Sequence, residues 1–183
     1  MKTKYLAFAL VAGLLVTGAG FAGDKTVKVG GQLMYPTKDI VDNAVNSADH
    51  TTLVAAVKAA GLVETLKGPG PFTVFAPTND AFENLPAGTV ESVLKPENKQ
   101  MLVAILTYHV VPGRLDAKWL WQMLKKGNGK AQLKTVQGDS LWFLANGDNI
   151  ILQDAKGGQA NLTVSNVMQS NGVIHVIDGV LMP

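Results

Sequence analysis

The sequence predicts an α+β fold, on three observations. Apolar residues recur at helical spacing through the first half and alternate at strand spacing through the second. The first half is mostly helical and the strands come mostly afterwards, without the regular alternation that a parallel βαβ fold requires. From Pro36 to Pro183 no linker, low-complexity segment or internal repeat interrupts the pattern, so one domain of ordinary size accounts for it.

The elements follow in order. Residues 23–35 read as a short, flexible lead-in marked by Gly30-Gly31. Ile40, Val41 and Ala44 suit one face of a short helix. Leu53, Val57 and Ala60 continue at helical spacing, with Gly61 as the stop. Phe72-Thr73-Val74-Phe75 is a short, heavily buried strand between Pro71 and Pro77, and Pro77 ends it because proline cannot donate to a ladder. Thr78 or Asn79 caps the next helix, since such side chains satisfy free N–H groups at a helix start. Thr89 to Leu94 is another short helix. Glu97 to Thr107 carries Leu102, Ile105 and Leu106 on one face, and Asp116 to Lys126 is a further helix ended by Gly127. Strands then follow at Leu133–Thr135, Leu141–Ala145, Ile150–Gln153, Ala160–Val164 and Val173–Ile177. Asn146-Gly147-Asp148, Lys156-Gly157-Gly158 and Asn171-Gly172 supply the turns.

Residues 1–22 have the layout of a secretory signal peptide. Lys2 and Lys4 are the positive region, Leu6 to Val16 the apolar region, and Gly20-Phe21-Ala22 a small-x-small cleavage site. The apolar stretch, about 17 residues broken by Gly13, Thr17, Gly18 and Gly20, is short for a membrane span. Loss of Lys2 and Lys4 leaves fourteen bases against fourteen acids in the rest of the 183-residue chain. A neutral chain is not a dedicated nucleic-acid binder, whose affinity rests on neutralising phosphates. The expected product is a secreted or periplasmic protein with no transmembrane anchor once the signal is removed.

Catalytic constellations are missing. There is no cysteine, hence no disulfide, thiolate metal site, cysteine nucleophile or lipidated cysteine. G-x-S-x-G and H-E-x-x-H do not occur. Gly127-Asn128-Gly129-Lys130-Ala131 lacks the first Gly and the Ser/Thr of a phosphate loop and reads as a turn. His50, His109 and His175 are not at chelating spacing, so no metal and no cofactor is expected. His50 falls near a helix start. His175 shares a face with Val173 and Ile177, as a satisfied, partly buried histidine would. The segment Lys118-Trp119-Leu120-Trp121 to Lys134 mixes bases and aromatics. It reads either as a patch, Lys118, Lys125, Lys126, Lys130 and Lys134, that meets an anionic polymer or a membrane surface, or as an amphipathic helix with a solvated basic face and Trp119 or Trp121 packing inward.

Three segments are more specific. Gly70-Pro71-Phe72-Thr73-Val74-Phe75-Ala76-Pro77-Thr78-Asn79-Asp80-Ala81-Phe82 is the first. Leu106-Thr107-Tyr108-His109-Val110-Val111-Pro112-Gly113 is the second, and Asn171 to Pro183, with Gly172-Val173-Ile174-His175-Val176-Ile177-Asp178-Gly179, is the third. In order and spacing they resemble the first homology box, the Tyr-His motif and the second homology box of the fasciclin domain, over residues 36–183. The resemblance implies a wedge with a roughly seven-stranded β-sandwich and helices along one side and edge. It also implies a non-catalytic extracellular or periplasmic module, typically adhesive. In its signal segment and single domain the chain is similar to the small secreted bacterial members.

That resemblance carries the Tyr-His motif onto Tyr108 and His109, with Asn79 and His175 as further binding candidates. Each also has a purely structural reading, because a buried polar group must be paired. The expected partner is a cell-surface or matrix protein or glycan, in adhesion, biofilm or host contact. The competing expectation is a periplasmic small-ligand carrier. An enzyme is disfavoured by the lack of any nucleophile–base arrangement.

Overall fold

The computed structural model describes residues 26–183. The signal-peptide reading of residues 1–22 lies outside the described residues. Residues expected to be a flexible lead-in instead form a hairpin, β1 (Val27–Val29) and β2 (Gln32–Met34). Gly30 and Gly31 have φ of 55° and 78°, so they provide a left-handed turn rather than slack. The hairpin is held because Val29 and Met34 are buried in the core.

Four helices and a strand follow. α1 (Ile40–Ala44) starts at Asp39, whose carboxylate accepts the Asp42 N–H at 2.8 Å. A 3-10 turn (Ala48–His50) leads into α2 (Thr51–Ala60), which Gly61 ends at φ 75°. α3 (Val63–Lys67) leads to β3 (Phe72–Pro77), and α4 (Asn79–Glu83) is capped by Thr78, whose hydroxyl accepts the Ala81 N–H. α5 (Thr89–Val93) and a 3-10 turn (Pro96–Asn98) precede α6 (Lys99–Tyr108). The chain then runs through β4 (Val110–Pro112) into α7 (Ala117–Lys126), whose start is capped by Asp116 accepting the Trp119 N–H at 2.7 Å. β5 (Lys130–Lys134), β6 (Ser140–Asn146), β7 (Asn149–Gln153), β8 (Gln159–Gln169) and β9 (Gly172–Ile177) complete it.

The fold is α+β, as expected, with seven strands in the order β4-β3-β9-β8-β7-β6-β5. They form one mixed sheet that curls until its ends nearly meet. The Val136 N–H, just past β5, donates to the Val110 carbonyl of β4 at 2.7 Å. Every pairing is antiparallel except β3 with β9, which are parallel and in register from Phe72↔Gly172 to Pro77↔Ile177.

Those two strands are buried on both faces, which explains their unbroken apolar runs. Val74, Ala76, Ile174 and Val176 face a first core filled by Ile40, Leu53, Val57, Leu102 and Leu106 of the helices. Phe75 and Ile177 face a second core inside the curl, with Leu141, Phe143, Ile150 and Leu152. α7 closes that side with Leu120 and Leu124, and both Trp119 and Trp121 pack partly against it. Phe75 lies 5.4 Å from the Phe143 ring and 5.6 Å from that of His175.

Asn171-Gly172 marks the right turn for a different reason. The two turn residues are Ser170 and Asn171, between the paired Gln169 and Gly172. Neither has positive φ, so this is not the Asn-Gly turn that the dipeptide suggests. A Cβ at Gly172 would sit 2.1 Å from the Phe72 carbonyl oxygen, so the parallel strand can approach only glycine there. Asn171 is buried and joins three elements. Its Oδ1 accepts the Ile40 N–H at 3.0 Å, and its Nδ2 donates to the carbonyls of Leu66 (2.8 Å) and Gly68 (2.9 Å). Asn171→Ala leaves these three backbone groups without that partner and is expected to destabilise the fold by about 2–4 kcal/mol. Urea denaturation checks it, with the midpoint lowered and the slope unchanged.

Candidate functional site

Tyr108 and His109 sit where α6 passes into β4. Tyr108 is fully buried in the second core, and its hydroxyl donates to the Ser140 carbonyl of β6 at 2.8 Å. Burial pushes its pKa up, with Asp154 and Asp139 adding to the rise and the Ala155 backbone opposing it. His109 is 2% exposed. Its Nδ1–H donates to the Ile105 carbonyl at 2.9 Å, and its Nε2 accepts the Leu181 N–H at 3.1 Å. One ring nitrogen donates and the other accepts, so this is a neutral imidazole. Burial lowers its pKa to about 4, against smaller opposing effects from the Ile105 carbonyl and Asp154. The ring ties the end of α6 to the C-terminal segment. Asp154 holds the same segment, its Oδ2 accepting the Met182 N–H at 2.9 Å.

His175 is a second clamp of the same kind. It has no exposure and stacks on Phe75 at 19° between planes. Its Nε2–H donates to the Leu115 carbonyl at 2.8 Å, and its Nδ1 accepts the Asn166 N–H at 3.4 Å. Asn166 occupies a left-handed conformation, φ 60°, where the β8–β9 register shifts. The bulge turns its side chain toward α7, and Oδ1 accepts the Ala117 N–H at 2.7 Å. Burial lowers the His175 pKa, against the Leu115 carbonyl and Asp116.

Asn79 does not cap the helix that begins with it. Thr78 does that, and the Asn79 side chain serves the start of α2 instead. Its Oδ1 accepts the Thr52 N–H at 3.1 Å and the Thr51 hydroxyl at 3.2 Å, and its Nδ2 donates to the Ala48 carbonyl at 2.8 Å. Tyr108, His109, His175 and Asn79 thus occupy four separate junctions and do not converge on one surface. Sequence reasoning passed over Thr73, which belongs with them. Its buried hydroxyl donates to the Gly113 carbonyl at 2.7 Å and accepts the Leu115 N–H at 2.9 Å. Its signal was a lone polar residue inside an apolar strand.

The basic residues behave differently. Lys118, Lys125 and Lys126 on α7 and Lys130 and Lys134 on β5 are all exposed. Lys118 and Lys125 are two helical turns apart on one face. Lys130 and Lys134 share the outward face of an end strand of the sheet, and α7 packs on that strand. Lys130 Nζ lies 4.4 Å from the centre of the Trp142 ring. Among the described residues, no group of three or more His, Asp or Glu side chains is arranged to hold a metal ion. No described helix is long and apolar enough to cross a membrane.

The sequence profile of the fasciclin domain matches residues 48–183. The chain belongs to the fasciclin domain family. It is 50% identical over 144 residues to protein sll1483 of Synechocystis, covering 79% of this chain and 73% of that one. It is 36% identical over 145 residues to immunogenic protein MPT70 of Mycobacterium tuberculosis, covering 76% and 66%. A solved FAS1 domain pair from the insect cell adhesion molecule Fasciclin I shares the fold, with a TM-score of 0.57 at 22% identity, over 76% of this chain and 45% of that one. Proteins of the fasciclin family are non-catalytic.

Two outcomes follow from the buried motif. Tyr108→Phe removes one buried hydrogen bond and is expected to cost about 1 kcal/mol, read by thermal or urea unfolding, with the spectrum of the folded state unchanged. The neutral His109 makes stability pH-dependent. Its folded pKa lies below the unfolded value of 6.5, so the unfolded chain binds more protons between them and stability falls on acidification. At pH 5 His109 alone costs about 2 kcal/mol relative to neutral pH, and His175 and His50 act in the same direction. Unfolding measured from pH 7.5 to 4.5 shows this as a midpoint falling below pH 6.5.

Proposed function

We propose that the chain is an exported, non-catalytic interaction module, secreted or periplasmic, that meets a cell-surface or matrix protein or glycan through the basic face of α7 and β5. Membership of a non-catalytic family supports the first part. The fold is shared with a molecule described as an insect cell adhesion molecule. The observation that carries the choice of face is burial. Tyr108, His109 and His175 have at most 2% exposure and spend their polar atoms within the chain, so a partner reaches them only by opening the core. The five lysines are exposed, lie on two packed elements and point to an anionic partner, an acidic glycan or protein surface.

This separates two effects that a single loss-of-binding measurement confuses. Substitution at Tyr108, His109 or His175 reduces binding through stability, in proportion to the unfolded fraction. Reversal of Lys118, Lys125 and Lys126 to Glu leaves the unfolding midpoint nearly unchanged and is expected to weaken binding of the labelled mature chain to cells or a glycan array by tenfold or more at low salt. The wild type should lose binding as salt rises, because exposed charges are screened beyond about 8 Å at physiological ionic strength. Salt-insensitive binding that survives the triple reversal moves the contact to another face.

A further inference from the structure

The first core is not fully packed. Between α1, α2 and the β3–β9 pair lies a cavity of about 80 Å³. Its wall is almost wholly apolar and includes Met34, Leu53, Val57, Val74, Leu106 and Ile174. Met34 belongs to the N-terminal hairpin, so that hairpin forms part of the enclosure. Lys58 and Val136 also line it and are exposed, which gives the cavity a route to solvent.

One polar group in this wall has nothing to bond. His50, 3% exposed, lines the cavity, and its Nε2 is the one buried side-chain polar atom without a hydrogen-bond partner among the described residues. Its Nδ1 lies 2.8 Å from the Ser47 hydroxyl. Ser47 is also buried and has no other side-chain bond, so the pairing that satisfies it is Ser47 O–H donating to Nδ1. The proton of the neutral ring is then on Nε2, which becomes a donor without an acceptor. Burial lowers the His50 pKa. The Ala76 backbone and the Asp49 charge oppose this. The other imidazole in the wall, His109, has both nitrogens engaged, and the Thr107 hydroxyl donates to the Val103 carbonyl at 2.7 Å.

We propose that this cavity is a binding site for a small, uncharged, mainly hydrocarbon molecule with one hydrogen-bond acceptor, a carbonyl or ether oxygen, received by His50 Nε2–H. An unpaired buried donor costs stability, and an acceptor from a ligand removes that cost. Water is a poor occupant. It needs two to four polar partners, whereas the buried part of the wall supplies this one free side-chain donor. The volume exceeds the roughly 10–15 Å³ that a single water requires, and a hydrocarbon body matches the lining. The site is independent of the basic face of α7 and β5.

The test uses 2-hexanone as the probe and hexanoate as its charged counterpart, with the mature chain labelled at histidine and methyl groups. Saturable binding of 2-hexanone should shift the His50 Nε2 signal and the methyls of Val57 and Ile174, with hexanoate at least tenfold weaker. Ala44→Phe, which fills the cavity from α1, should abolish binding. The Ser47→Ala/His50→Phe double variant, which removes the polar pair and keeps an apolar wall, should weaken ketone binding by about three- to tenfold. The proposal is overturned if the wild type shows no saturable shift at these residues. It is equally overturned if the double variant binds the ketone as well as the wild type, or if hexanoate binds equally. These readouts come from the chain alone, so they stand or fall apart from adhesion to any surface.

Discussion

The parallel pairing of β3 with β9 is the constraint on which the rest of the molecule depends. Both strands are covered on both faces, by helices on one side and by the curled remainder of the sheet on the other. Polar groups buried beside them need partners within the chain, and among the described residues all but His50 Nε2 have one. The polar residues of the three sequence motifs are those partners. Thr73 and His175 fix the segment between β4 and α7, His109 fixes the C-terminus, and Asn171 fixes α1 and the end of α3. A pattern of separated motifs is what such a centre demands, because the clamps come from distant parts of the chain and meet only at this strand pair.

This changes how the Tyr-His motif is to be understood in this chain. Tyr108 and His109 are adjacent in sequence but serve different ends of the second core. One bonds β6 and the other bonds the segment after β9. A neutral imidazole with both nitrogens engaged has no capacity left for a partner. In the proposed function the contact is therefore made at the surface, and the scaffold contributes by holding α7 and β5 in place. Leu120 and Leu124 anchor α7 inward, which turns its lysines outward.

The same close packing makes the gap beside His50 informative. Protein interiors fill their space and pair their polar atoms, so an apolar void and an unpaired donor in one wall depart from both tendencies together. The hairpin β1–β2 adds to the contrast. Gly30-Gly31 suggests slack, yet Val29 and Met34 are buried, and both line the gap.

Sequence alone determined most of the elements and the family, but not the β1–β2 hairpin, α3 or β4. Helical spacing at Leu53, Val57 and Ala60, alternation at Leu141 and Phe143, and the turns at Gly61 and Gly127 are local facts, set by backbone geometry over a few residues. The motifs identified the domain because they report a shared centre, even before that centre was visible. Burial and partners are not local. Asn79 follows a helix cap in sequence but caps another helix 27 residues away. Asn171-Gly172 is a turn dipeptide, but its glycine is required by a neighbouring strand. The four motif residues were legible as important, while their roles were not, since a histidine that binds a partner and one that clamps a core have the same letter. The basic patch of five lysines was legible in the sequence, but only the tertiary structure packed α7 against β5 and left His50 beside an empty volume. Both depend on which residues distant in sequence become neighbours in space.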